Sequence, residues 1–282
     1  MNDDFAVFIL THGRANNVIT YRSLQRAGYT GKVYIIIDNE DKQADEYYKI
    51  YGDKVIMFDK AAIAETFDEG DNFGDRRAVI YARNACFEIA RKLGITYFME
   101  LDDDYTHIDY EIDNNHRSAG IKNLDNVLES LLDYYKAIPA KSIAMAQGGD
   151  FIGGDVNELA DSINRRRKAM NTFICSVDRP FSFVGRVNED VNTYTWYQCM
   201  GNLFITYPLL AVRQHQSQSN TGGMTEMYLD SGTYIKSFYT VMYQPSSVKV
   251  GMINSHYMRL HHHIDWDTTV PCIIPESYRK AA

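Results

Sequence analysis

Thr96-Tyr97-Phe98-Met99-Glu100-Leu101-Asp102-Asp103-Asp104-Tyr105 is an apolar run that ends in three consecutive aspartates. A short, nearly unbroken apolar run is the pattern of a strand buried in a parallel sheet, and ligands of open α/β sheets collect where such strands end. The run predicts a strand that delivers carboxylates to a ligand edge. Three neighbouring carboxylates repel one another. They mark either a solvated acidic loop or a site for a hard divalent cation, Mg²⁺ or Mn²⁺, which takes carboxylate oxygens together with substrate phosphates.

Upstream, Phe5 to Leu10 reads as a strand, followed by the polar loop Thr11-His12-Gly13-Arg14-Ala15-Asn16-Asn17 and a helical pattern from Val18 to Ala27. Gly13 allows close backbone approach, a helix N-terminus lies beyond it, and Arg14 can pair with a phosphate, so the turn suits a nucleotide. Val33 to Ile37 is a second strand-like run, closing in Asp38-Asn39-Glu40-Asp41. Asp38 there either binds a ribose hydroxyl or base edge, or closes a turn. Val55 to Phe58 predicts a third strand, and Ala78 to Leu93 an amphipathic helix that carries Arg83 and Asn84 and stops at Gly94. This alternation predicts a mostly parallel, doubly wound sheet through residue 104.

Downstream come a polar excursion from His107 to Gly120, a helix from Asn123 to Ala137 and a strand from Ser142 to Gln147. The loop Gln147-Gly148-Gly149-Asp150-Phe151-Ile152-Gly153-Gly154 must bend tightly or approach a ligand closely. Next stands the basic cluster Arg165, Arg166, Arg167 and Lys168, then Phe181 to Asn192, which sets Glu189-Asp190 ahead of a helical stretch from Asn192 to Met200. A carboxylate placed there either takes a proton from an acceptor hydroxyl or sits in the first turn of a helix. Gln214 to Gly223 is polar, Tyr234 to Tyr243 reads as aromatic and buried, and Val248 to Met252 as a late strand. The segment Arg259-Leu260-His261-His262-His263-Ile264-Asp265-Trp266 offers imidazoles, as metal ligands or as a surface cluster.

The 282 residues are long enough for a large core, and a net charge of −8 argues against a broadly basic nucleic-acid surface. A local patch remains open, because Asp161 to Arg213 holds seven basic residues against four acids. No apolar run approaches the ~20 residues of a spanning helix. The acidic start Met1-Asn2-Asp3-Asp4 is unlike a signal peptide, so a cytoplasmic protein is expected. Cys86, Cys175, Cys199 and Cys272 form no CxxC pair, which points to buried thiols instead of a zinc site or disulfide framework.

Taken together, Thr11 to Arg14, Arg83-Asn84, Asp102-x-Asp104, Glu189-Asp190 and His261-His262 resemble, in order, the motifs of the GT-A glycosyltransferases. The QGGDFIGG loop, the FVGRVNEDVNTY segment, Gln218 to Gly223, Gly232 to Tyr239 and the RLHHHIDW end are similar to the phage-type, TET/JBP-associated glycosyltransferases. The resemblance implies a Rossmann-like, mostly parallel sheet flanked by helices. It implies one domain over residues 1–282, with a nucleotide-sugar half (1–105) and an elaborated acceptor half (106–282). The implied donor is a UDP-sugar, held by Thr11, His12, Gly13, Arg14, Asp38, Arg83, Asp102 and Asp103. Mn²⁺ or Mg²⁺ would bind Asp102, Asp104 and His261 or His262. Asp190, beside Glu189, would be the base on the acceptor, and inversion at the sugar follows if it is. The implied acceptor is DNA carrying hydroxymethylcytosine or hydroxymethyluracil, presented unpaired against Gly149, Asp150, Arg165, Arg166 and Arg186. A protein, lipid or glycan acceptor, or a non-catalytic nucleotide or sugar binding module, are the competing readings.

Overall fold

The computed structural model describes residues 2–111, 118–147, 172–214, 235–254 and 258–269. Strand β1 (Phe5–Leu10) is buried throughout, and its alternate residues enter two separate cores. Phe5, Val7 and Ile9 pack with Leu24 of α1 (Ile19–Arg26), Tyr47 of α2 (Ala44–Tyr51) and the leucines of α5 (Leu124–Ala137). Ala6, Phe8 and Leu10 pack with Ile63 of α3 (Lys60–Ala64), Ile80 to Ala90 of α4 (Ile80–Lys92) and Val191 and Tyr194 of α6 (Glu189–Cys199). Helices therefore cover both faces of the sheet, and period-2 alternation in the strands sorts side chains between them.

Among the described residues the sheet has nine strands in the order β3 (Val55–Phe58), β2 (Lys32–Asp38), β1, β4 (Tyr97–Asp102), β8 (Phe173–Ser176), β7 (Ala140–Gln147), β9 (Leu203–Gln214), β5 (Tyr105–Glu111) and β6 (Ser118–Gly120). Only β8 and β5 run against the common direction, so the expected mostly parallel sheet is what forms. β1 lies between β2 and β4, with Leu10 opposite Asp102. The chain leaves β1 toward one neighbour and returns beside it from the other. This is the switch point at which open α/β sheets hold ligands, and it sets the Thr11 to Arg14 loop next to the three aspartates.

The polar excursion expected over 107–120 contains two strands instead, β5 and β6. Tyr105 and Ile108 are buried there between polar neighbours, and Arg213 of β9 pairs with Asp109 and Glu111 across the ladder. β9 was not anticipated; its register against β7 breaks between Tyr207 and Ala211, around Pro208, which has no N–H to donate. The helix expected from Asn192 begins three residues earlier, at Glu189. Tyr234 to Tyr243 was expected to be buried, yet α7 (Ile235–Tyr243) buries Ser237, Tyr239 and Thr240 and leaves Phe238 and Met242 exposed. The segment is amphipathic, not uniformly apolar.

The late strand is β10 (Val248–Asn254), paired with β11 (Met258–Ile264) in a separate hairpin that packs on α7. A single-turn helix α8 (Trp266–Thr269) follows, its Trp266 stacked on Tyr194. Cys86 and Cys175 are buried thiols, as expected, whereas Cys199, near the end of α6, is only partly buried, and Cys272 lies outside the described residues. Among the described residues no helix is long and apolar enough to cross a membrane.

Gly28, just past α1, holds φ +83, and a Cβ there would stand 2.3 Å from the carbonyl oxygen of Lys122, a backbone atom that cannot swing away. Gly28→Ala is expected to destabilise the fold by more than about 2 kcal/mol, through left-handed strain plus the clash. Urea titration of the two proteins checks this; equal midpoints would mean that the α1 end relaxes freely.

Candidate functional site

The alternation of β4 decides where its acids point. Phe98, Glu100 and Asp102 share the α4 face, Met99 and Leu101 the other. The chain then turns, and Asp103 goes to the α2 side. Its carboxylate accepts from Thr11 Oγ1 (2.7 Å) and from Arg14 Nη1 (2.8 Å). The Tyr47 hydroxyl lies 2.8 Å from Thr11 Oγ1 and accepts the backbone N–H of Arg14. Thr20 clamps the turn: Oγ1 donates to the Asp102 carbonyl (2.6 Å) and accepts from Tyr105 N, while its own N–H donates to the Asp103 carbonyl (3.0 Å). Burial raises Asp103, opposed by Arg14 and Thr11. Asp104 is pushed up to about 7, first by burial and then by the charges of Asp102 and Asp103.

Arg83 on α4 is fully buried and meets three carboxylates. Nη2 lies 3.0 Å from Asp102 Oδ1, Nε 3.1 Å from Glu189 Oε1, and Nη1 3.5 Å from Glu100 Oε2. Its guanidinium carbon stands 5.1 Å from the ring centre of Phe173 and 5.7 Å from that of Phe183. Burial alone would lower the guanidinium, but the three acids outweigh it and hold Arg83 above its ordinary value. Burial raises Glu100, to about 8, and Glu189, with Arg83 opposing in both. One buried cation thus joins the acid strand to the first turn of α6.

That first turn is built with care. Asn188 caps α6 in the left-handed region (φ 63), the one non-glycine residue with positive φ among those described, and Asn tolerates this better than most residues. Its amide donates to Thr240 Oγ1 of α7 at 2.6 Å. Asn192 one turn on donates to the carbonyls of Val184 and Val187. Glu189 and Asp190 therefore stand at a helix N-terminus, where acids are favoured.

At the end of β2, Asp38 Oδ2 accepts from His12 Nδ1 (2.7 Å) and Lys60 Nζ (3.3 Å), and its Oδ1 accepts the N–H of Glu40. Asp41 accepts the backbone N–H of Gly13 at 2.7 Å. These contacts fold the β1 and β2 loops onto each other. Half of the His12 side chain stays exposed, so its Nε2 edge can meet a ligand.

The expected site residues thus divide. His12, Gly13, Asp38, Asp102, Asp104, Glu189 and Asp190 surround the switch point. Thr11, Arg14 and Asp103, expected on the donor, hydrogen-bond one another at the turn beside it. Arg83 was expected on the donor too; it is buried and orders the acids. Arg186 was expected on the acceptor, but it is buried against Asp71 (2.7 Å) and Asp75 (3.3 Å). Arg179 and Arg213 of the basic stretch are likewise engaged, Arg179 with the carbonyls that end α5. Gly149, Asp150, Arg165 and Arg166 lie outside the described residues.

His261 and His262 were expected as metal ligands. Their rings stack on each other 4.3 Å apart on β11, and among the described residues no three carboxylates, imidazoles or thiols converge on one point. The hairpin places them in a different sheet from the aspartates. Asp102 and Asp104 alone still fit a hard cation: two oxygen donors at a strand end, repelling each other, with the remaining positions left to water and phosphate as Mg²⁺ prefers. Sequence reading passed over Thr20, Tyr47, Lys60 and Glu100. Only Glu100 carried a signal, as an acid inside an apolar strand.

A buried acid cluster at the switch point of an α/β sheet stands where such folds hold ligands, and the sequence narrows the class. The profile of the TET-associated glycosyltransferases matches residues 5–223, most of the chain, and the chain belongs to that family. Comparison with curated proteins gives no significant match. Solved structures with similarity include the glucosyl-3-phosphoglycerate synthase of Mycobacterium tuberculosis with Mg²⁺ and uridine diphosphate. Its TM-score is 0.46 at 10% identity over 92% of this chain and 86% of that one. The same enzyme with Mn²⁺, uridine diphosphate and phosphoglyceric acid gives 0.46 at 11% with equal coverage. Residues 1–349 of S. aureus TarS give 0.46 at 11%, over 84% of this chain and 65% of that one.

His12 is raised above its ordinary 6.5, because its hydrogen bond to Asp38 outweighs the lowering by burial. A raised histidine stabilises the fold fully below its unfolded value and loses that contribution as pH rises through the folded one. NMR titration is expected to place His12 above 6.5 in the wild type and to bring it down in Asp38→Asn. A His12 value unmoved by Asp38→Asn would remove this pair from the site.

Proposed function

We propose that this chain is a metal-dependent GT-A glycosyltransferase that moves a sugar from a UDP-sugar to the hydroxymethyl group of a modified pyrimidine in DNA. The observation that carries the reading is the reach of Arg83, which touches Asp102 and Glu189 at once. A donor-binding acid and an acceptor-side acid pair are thereby held within the span of one side chain. His12, Gly13 and Asp38 would hold the nucleoside at the end of β1 and β2. Asp102 and Asp104 would hold Mn²⁺ or Mg²⁺ with the diphosphate, and the cation supplies neutralisation of charge on the leaving group. Asp190 would take the proton from the hydroxymethyl oxygen as that oxygen attacks the sugar, which inverts the anomeric centre. A pyrimidine inside a duplex is out of reach, so the acceptor base must be unpaired or flipped out. The DNA acceptor draws its support from the family and from the resemblance.

A second reading, a protein, lipid or glycan acceptor, is favoured by the net charge of −8 and by the internal engagement of Arg179, Arg186 and Arg213. One experiment separates the two. Oligonucleotides carrying hydroxymethylcytosine, hydroxymethyluracil or neither are incubated with the enzyme and mixed UDP-sugars, and the nucleosides are read by mass spectrometry. A hexose or pentose added only to hydroxymethylated nucleosides is the expected result; UDP-sugar turnover without any modified nucleoside would turn attention to the second reading.

Two substitutions are expected to divide the labour at the site. Asp190→Asn should leave UDP binding with Mn²⁺ almost unchanged and cut the single-turnover rate by ~10²-fold or more. Asp104→Asn should weaken UDP binding as well, and EDTA should abolish turnover in the wild type. Calorimetry beside rapid-quench rates checks both; equal loss of UDP affinity in the two variants would take Asp190 out of the base role.

A further inference from the structure

The loop between α3 and α4 is held to the site on three sides. Gly185 N donates to the Asp68 carbonyl (2.8 Å) and Arg186 N to the Glu69 carbonyl (2.7 Å), so the loop runs alongside the segment that leads into Glu189-Asp190. The Arg186 side chain grips Asp71 and Asp75 at its tip, and Tyr239 of α7 also donates to Asp71. At the loop's other end Arg76 pairs with Glu40, beside Asp38. Gly70 and Gly74 take positive φ on either side of the tip.

At that tip stands Phe73. It is 72% exposed, the most exposed large apolar side chain among the described residues. A single exposed apolar side chain is ordinary on a surface. Phe73 differs in two ways: the Arg186 guanidinium backs the ring, 6.0 Å from its centre, and a buried double ion pair fixes the backbone on both sides of it. The loop's acids are largely engaged as well, Glu69 by Tyr81 and Asp75 by Arg77, which lessens their repulsion of an anionic strand. A flat ring that stands open to solvent on a loop gripped by Arg186, itself three positions in sequence before an acid pair, is built to receive another flat group.

We propose that Phe73 is the stacking platform for the unpaired acceptor pyrimidine. The inference rests on the DNA reading above and adds the residue that recognises the base. Arg186, which backs the ring, leads within three residues to Glu189-Asp190, while the loop's link to Asp38 runs through Arg76 and Glu40; this connectivity assigns the ring to the acceptor and not to the uracil of the donor. Base–aromatic stacking needs only a π-face, so the contact holds either hydroxymethylated pyrimidine without choosing between them.

The test uses the full chain and a single-stranded hydroxymethylated oligonucleotide. Phe73→Ala is expected to raise the oligonucleotide KM about 10-fold or more. UDP affinity with Mn²⁺ should stay within about twofold, and Phe73→Tyr should retain the wild-type KM. Phe73→Trp adds an emitter whose fluorescence, after subtraction of the wild-type signal from Trp196 and Trp266, should be quenched by the oligonucleotide and not by UDP. Quenching by UDP alone, or equal oligonucleotide KM in wild type and Phe73→Ala, overturns the proposal. An oligonucleotide that fails to bind the wild-type protein overturns the DNA reading and this inference with it, whereas one that binds wild type and Phe73→Ala alike overturns this inference only.

Discussion

A single guanidinium without water around it organises the centre of this molecule. Arg83 has no exposed surface, so its charge must be met by protein groups, and Asp102, Glu189 and Glu100 supply them. Removing one partner from such a cluster leaves a buried charge uncompensated, which is far costlier than the cluster's net contribution to stability. The aromatic rings of Phe173 and Phe183 line the guanidinium and shield the cluster from solvent. β4, α4 and the start of α6 are therefore fixed against one another by electrostatics as much as by packing. The geometry of the acids follows from that constraint.

The three adjacent aspartates do three different things. Asp102 continues the strand's alternation and meets Arg83; Asp103, one residue on, falls on the opposite side and is consumed by Thr11 and Arg14; Asp104 is partly buried and raised by that burial and then by its neighbours' charges. The middle acid is thus taken up by internal partners, while its two neighbours stand at the carboxyl end of β4. Thr20, through three hydrogen bonds to the backbone of the turn, keeps the division in place.

Much of this was legible in the residues. Strands 5–10, 32–38, 55–58 and 97–102 announce themselves as apolar runs with polar ends, and α4 and α5 by helical period. β5 did not, because it carries a histidine, an aspartate and a glutamate among its apolar residues, and the two acids are met by Arg213, roughly a hundred residues away in sequence. Arg83 and Arg186 read as ligand-binding arginines for the same reason: nothing local in a sequence distinguishes a guanidinium aimed at a phosphate from one aimed at a distant carboxylate. Lys60 and Tyr47 left no pattern at all, since their partners Asp38 and Thr11 come from other strand ends. Local period locates the elements, while the assignment of charges to partners is a property of the folded topology.

The strand order also bears on how the chain is made. β3, β2, β1 and β4 come from the first 102 residues and pair with one another, so four of the nine described strands can assemble early in synthesis. The free edge of β4 then waits for β8, which arrives only with Phe173–Ser176, while β5, next to β4 in sequence, joins the sheet four places away. During that interval Tyr97-Phe98-Met99 presents an apolar, unpaired edge of the kind that templates wrong partners. The short antiparallel β8, bound to β4 through only three residue pairs, closes it. Four residues from the middle of the chain thereby end the exposure of that edge, on the strand that carries the acids.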